Sequence, residues 1–131
     1  MTRTILLVDD SRVTRELIKV YLIAKDVRLI EAVDGQDALV RIRMDRPDLV
    51  LADLRMPRLD GVGLCEAMRS SAITSSIPVV ILTSNKDAES IQRCLAAGAR
   101  EVLNKPIQPQ PLIAAVKRCL SGTPAVSTSP P

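Results

Sequence analysis

Short, mostly apolar runs alternate along this chain with stretches whose apolar residues recur every three or four positions. The runs at 4–8 (TILLV), 27–32 (VRLIEA), 49–52 (LVLA), 79–82 (VVIL) and 101–104 (EVLN) predict five strands, the last being the weakest. Runs that do not alternate with polar residues fit strands buried on both faces, as in a parallel sheet. Helical spacing fills the gaps. Over 12–24, behind a Ser11 N-cap, the stripe Val13, Leu17, Val20, Tyr21 and Ala24 is expected to face inward. Over 36–44 the inward residues are Ala38, Leu39 and Ile42, and over 62–69 Leu64, Cys65 and Met68. Over 87–97, capped by Ser84 or Asn85, they are Ile91, Cys94 and Leu95; over 111–120 they are Leu112, Ile113, Val116 and Leu120. Asp34-Gly35 and Asp60-Gly61 are turn chemistry, Pro47 stops the second helix, and Gly98 suits a left-handed C-terminal cap.

Five strands alternating with five helices predict a doubly wound α/β domain over residues 1–121. The Ser/Thr/Pro-rich residues 122–131 read as a disordered tail or the start of a linker. Right-handed crossovers bring every strand-to-helix loop to one edge of the sheet. Asp9, Asp10, Asp53, Thr83, Ser84 and Lys105 fall on that edge, although the sequence scatters them. Asp53 ends a buried run at the carboxyl edge, where open α/β sheets bind their ligands.

Composition narrows the choices. The chain has 131 residues, 47% of them hydrophobic, with Tyr21 the sole aromatic residue and no histidine. The lone aromatic argues against base-stacking platforms and aromatic peptide grooves, and histidine bases and histidine metal ligands are excluded. The net charge of +3 is scattered rather than gathered in a tail, so nucleic acid is not an expected partner of this domain. Cys65, Cys94 and Cys119 are odd in number and widely spaced, which suggests reduced, packed thiols in a cytoplasmic protein. No apolar stretch approaches the roughly 20 residues of a membrane span, and no signal peptide is evident.

Crowded carboxylates repel one another: two unit charges ~4 Å apart interact by roughly 4 kcal/mol at an effective dielectric near 20. A divalent cation and the Lys105 ammonium would offset this. An all-oxygen donor set suits Mg²⁺ and argues against zinc. A carboxylate is also a nucleophile toward phosphorus, and phosphoryl transfer asks mainly for positioning and charge neutralisation. Lys105 and a Thr83 hydroxyl supply groups of the right type. Each residue alone has an ordinary explanation: Asp34, Asp60 and Asp87 as caps, Asp9 or Asp10 as a cap, Thr83 as a strand end, Lys105 as a solvated cation. Their joint placement after strands one, three, four and five favours a site.

On these residues the chain resembles the receiver domains of two-component response regulators, the CheY-like fold. The matching motifs are LLVDD (6–10), DGQDAL (34–39), PDLVLADLRMPRLDG (47–61), PVVILTS (78–84), AGA (97–99) and LNKPI (103–107), spanning about 4–120. The resemblance implies a flavodoxin-like parallel sheet in the order 2-1-3-4-5. It implies that Asp53 is the phosphoacceptor and that Mg²⁺ (or Mn²⁺) is held by Asp10 directly, Asp9 mainly through water, Asp53, and the Arg55 backbone carbonyl. Thr83 and Lys105 would bind the phosphoryl group, and the bond to Pro106 would be cis. Arg55 and Asn85 would tune the lifetime of the acyl phosphate. The implied donor is a histidine kinase or phosphotransfer protein, and the implied output is a protein target or effector domain met through 87–120. A homodimer is left open. The domain would be a bacterial phosphoprotein switch rather than an enzyme, catalysing only its own phosphorylation and dephosphorylation.

One position departs from the family. Val102 stands where a tyrosine or phenylalanine is usual, so a switch that couples Thr83 to a ring cannot operate in that form. A degenerate receiver that never carries phosphate is one alternative. A Mg²⁺-dependent phosphohydrolase of the haloacid-dehalogenase type is a weaker one, because Arg55 stands where that family needs a second acid.

Overall fold

The computed structural model describes residues 2–122, so most of the tail expected at 122–131 lies outside the described residues. Five strands, β1 (Arg3–Val8), β2 (Val27–Ala32), β3 (Leu49–Asp53), β4 (Val79–Thr83) and β5 (Glu101–Asn104), alternate with five helices. These are α1 (Arg12–Leu22), α2 (Gly35–Asp45), α3 (Gly61–Arg69), α4 (Ala88–Ala97) and α5 (Pro109–Ser121). All strand pairs are parallel, in the order β2-β1-β3-β4-β5. This is the doubly wound architecture that the alternating pattern predicts. β3 and β4 are buried along their whole length, which is why their sequences show no alternation.

Two apolar layers sandwich the sheet. Leu6, Val8, Val50, Ala52 and Ile81 point to the layer completed by Ala38, Ile42, Leu64, Met68 and Cys94 of α2, α3 and α4. Ile5, Leu7, Leu49, Leu51, Val80 and Leu82 point to the other, completed by Ile18 and Leu22 of α1 and Leu112 and Val116 of α5. Each fully buried Leu or Ile stabilises the fold by roughly 1.5–3 kcal/mol.

The helices begin where short polar side chains hold free amides. Ser11, Asp34, Asp60 and Asp87 each accept a hydrogen bond from the first turn of α1, α2, α3 and α4. The cap of α4 is therefore Asp87 rather than Ser84 or Asn85, and the helix starts at Ala88. α5 starts two residues earlier than the pattern suggests, because Pro109 is tolerated in a first turn that needs no N–H. Leu95, expected inside, is 41% exposed.

The largest departure is α1. The pattern turns Val13, Leu17, Val20 and Ala24 inward, yet Val13 is 78% and Val20 63% exposed, and Ile18 and Leu22 are the buried residues. The helix is apolar around much of its circumference, so polar groups fix its rotation. Ser11 caps it through the Thr14 amide. Arg15 reaches the Asp9 carbonyl and Glu31 of β2, while the Tyr21 hydroxyl donates to the Ile107 carbonyl. Those ties turn Ile18 and Leu22 onto the sheet.

Candidate phosphoryl-transfer site

The winding direction reverses between β1 and β3, and the crevice outside their carboxyl ends is where such sheets bind ligands. Asp9 follows β1 and Asp53 is the last residue of β3. Together with Asp10 they place carboxylate oxygens within 4.8 Å of one another, an arrangement that can hold a metal ion. Asp9 is 2% exposed, whereas Asp10 faces solvent. Asp9 also accepts a hydrogen bond from the Ser11 amide at 2.8 Å, which fixes its rotamer at the head of α1.

Lys105 enters from the end of β5. Its Nζ lies 3.2 Å from Asp53 Oδ1 and 3.3 Å from Asp9 Oδ2, so one ammonium bridges two acids. The Lys105 amide donates to the Thr83 carbonyl at 2.8 Å, and the Leu54 amide to the Leu82 carbonyl at 2.9 Å. The ends of β3, β4 and β5 are thus tied together by the chain itself. The Lys105–Pro106 bond is cis. Thr83 is buried, and its Oγ1 accepts from the Asn85 amide at 3.0 Å, which leaves the hydroxyl proton available.

The electrostatics follow from this crowding. Burial, the charge of Asp9 and to a smaller degree that of Asp10 raise the Asp53 carboxyl above its ordinary value, against the opposing pull of Lys105. Burial alone would lower the Lys105 ammonium, but Asp9 and Asp53 outweigh it and raise it. The site holds three carboxylates and one lysine cation, and so has room for more positive charge. An oxygen-only donor set, two of its acids buried, fits a hard divalent cation such as Mg²⁺. Among the described residues this is the one such cluster.

The loop after β3 shapes the remaining wall. Gly61 lets that loop return beside Asp53: a Cβ there would sit 3.0 Å from the Asp53 carbonyl oxygen and 2.9 Å from Ile81. Arg58 adopts a left-handed backbone and pairs with the Asp34 carboxylate at 3.4 Å. Arg55 and Asn85, distant in sequence, line one cavity of 260 Å³ together with Leu54, Asp87 and Arg93. Val102 is half-buried on β5 and opens onto a separate 300 Å³ hollow with Ile107 and Pro111. The structure adds one residue the sequence pattern did not single out. Arg15 anchors the Asp9 carbonyl at 2.5 Å, and its only signal was its place one turn into the helix that follows the acidic pair.

A family model described as the response regulator receiver domain matches residues 5–117. The chain belongs to the response regulator receiver family. Among curated relatives, the DNA-binding response regulator MtrA of Mycobacterium tuberculosis is 34% identical over 117 residues, covering 89% of this chain and 50% of that protein. The response regulator MprA of Mycolicibacterium vanbaalenii is 37% identical, covering 91% of this chain and 51% of its own. The chain thus spans about half the length of the curated relatives it matches. A putative response regulator from Chloroflexus aurantiacus superposes with a TM-score of 0.88 at 31% identity, covering 92% of this chain and 99% of that one. The receiver domain of the sensor histidine kinase PA1611 from Pseudomonas aeruginosa superposes at 0.84 with 29% identity, covering 92% of this chain and 99% of its own. That structure has a magnesium ion coordinated in its active-site cleft. Among the described residues of this receiver, no helix is long and apolar enough to cross a membrane.

Proposed function

We propose that this receiver accepts a phosphoryl group on Asp53 from a phosphohistidine protein and passes the signal on by protein contacts. The carrying observation is the bridge from Lys105 to both Asp53 and Asp9 at the carboxyl edge of β1 and β3. An Asp53 oxygen forms the new bond to phosphorus as the donor's phosphorus–nitrogen bond breaks, and the imidazole leaves with its electron pair. Asp9, Asp10, Asp53 and the Arg55 carbonyl would hold Mg²⁺, which when bound neutralises phosphoryl oxygens. Lys105 supplies charge to another of those oxygens, and Thr83 has a proton to donate to a third. The raised basicity of Asp53 suits a nucleophile that the surrounding cations keep ionised.

The exposed α1 stripe supports the input side of this reading. Val13, Leu17 and Val20 follow the four-three spacing of a helix-packing seam, and α1 starts at the active-site edge. A helical donor laid on it would bring its phosphohistidine to Asp53. Output would pass through α4, β5 and α5. Val102, lacking a ring, would leave the conformational shift to the β4–α4 backbone around Thr83 and Asn85.

The test is incubation with acetyl phosphate and Mg²⁺ followed by intact mass. The wild-type protein should gain one phosphoryl group, and Asp53→Asn or an EDTA control should not. No gain, or an equal gain in Asp53→Asn, would leave a receiver that acts without phosphate.

A further inference from the structure

The amino edge of the sheet, opposite Asp53, carries a second concavity. It has a volume of 470 Å³, within the range of small-molecule sites. Its floor is apolar: Leu22 from the end of α1, Val27 from the start of β2, and Ile113, Val116 and Leu120 along α5. Its rim carries Arg3, Lys25 and Lys117, and no carboxylate lines it. Among the described residues none of these three cations enters an ion pair. Arg3 is held in place by donating one N–H to the Leu120 carbonyl at 3.0 Å, which leaves the rest of its guanidinium for an anion.

We propose that this groove binds a carboxylate-headed amphiphile, a medium-chain fatty acid in chemical class. The head sits on the cationic rim and the alkyl chain lies along Leu22, Ile113 and Leu120. Charge complementarity selects an anion, because three cations and no carboxylate line the groove. The apolar floor selects an alkyl chain over a peptide. A peptide laid there would press its backbone amides against five aliphatic side chains, and an unpaired buried amide is costly. The rim lysines can lay their methylene stems on the same floor and keep their ammonium groups in water beside the head group. The site shares no residue with the phosphoacceptor cluster, so the two can be tested apart.

The experiment is a methyl-resolved NMR titration with sodium decanoate below its micelle-forming concentration, run beside decyltrimethylammonium and decanol. Decanoate should shift the Leu22, Ile113 and Leu120 methyls saturably, and decyltrimethylammonium should not. The Lys25→Glu/Lys117→Glu double variant changes side chains that are not buried. Its backbone spectrum should stay that of the folded protein, while its decanoate affinity falls at least about fivefold. Asp53→Asn should bind decanoate like the wild type, which separates this result from the phosphorylation reading. Equal binding of the anionic and cationic amphiphiles, shifts centred elsewhere, or an unchanged affinity in the double variant would overturn the proposal. So would methyl shifts seen only with phosphatidylglycerol vesicles, or a glutamate-rich peptide that displaces decanoate.

Discussion

Replacing Asp53 by Asn should make the metal-free receiver more stable, although it removes half of an ion pair. Asp53 lies within 4.8 Å of both Asp9 and Asp10, and a carboxylate pair at that distance repels by about 3.5 kcal/mol at an effective dielectric of 20. Its attraction to Lys105 at 3.2 Å is about 5 kcal/mol on the same scale. Two repulsions exceed one attraction by about 2 kcal/mol, and the burial of a charge adds to the same side. Solvent screens the exposed Asp10, so the expected gain is about 1–2 kcal/mol, or about 4–8 °C in melting midpoint for a domain of this size. The pH dependence follows from the raised Asp53 carboxyl. The folded state binds that proton more readily than the unfolded state, whose carboxyl titrates near 3.8. The destabilisation is therefore absent below 3.8, grows as pH rises from there through the folded value, and is complete above it. Thermal melts of wild-type and Asp53→Asn protein in EDTA, from pH 3.5 to 7.5, measure the gap directly. An Asp53→Asn variant melting at or below wild type at pH 7.5, or a gap that does not close in acid, would refute the reasoning.

Other consequences can be checked in the same preparation. Raising free Mg²⁺ to ten times its half-saturating concentration should stabilise the wild type by about 1.4 kcal/mol, and Asp10→Asn should lose most of that gain in the same melt. Gly35→Ala should cost about 2 kcal/mol in a urea midpoint, because its Cβ would meet the Leu59 carbonyl oxygen and lie 2.6 Å from Leu59 Cβ. Arg118→Ala removes a two-pronged pair at 2.9 and 2.6 Å from the buried Glu101, at a cost of about 2 kcal/mol by chemical denaturation, and Arg118→Lys should recover only part. The native protein should resist a thiol reagent at neutral pH, since burial pushes Cys65 up to about 12 and Cys119 up to about 11. Rapid labelling without unfolding would contradict that.

The sheet was legible because a strand buried on both faces has only one way to look: apolar without interruption. The site was legible for the same reason, since the polar residues that break each run fall on the edge to which the crossovers return. The rotation of α1 was not legible. With apolar residues at 13, 17, 18, 20, 21, 22 and 23, its pattern offers two faces. Arg15, Glu31 and the Tyr21 hydroxyl, partners far apart in sequence, choose between them. The α4 cap failed for a related reason. Ser84, Asn85 and Asp87 all have capping side chains, and Asn85 is used instead to hold the Asp87 amide at 2.9 Å. Residues whose role is to position others, such as Arg15, carry no local signature beyond their place in the chain.

The Lys105–Asp9 contact joins residues 96 positions apart, nearly the full span of the folded chain. Closing so long a loop costs more chain entropy than forming the local helices, so this contact depends on the rest of the sheet being in place. A chain that ends between β3 and β5 has its acids but not the cation that balances them. Under the function proposed above, competence to take a phosphoryl group would therefore require the domain to be complete through β5.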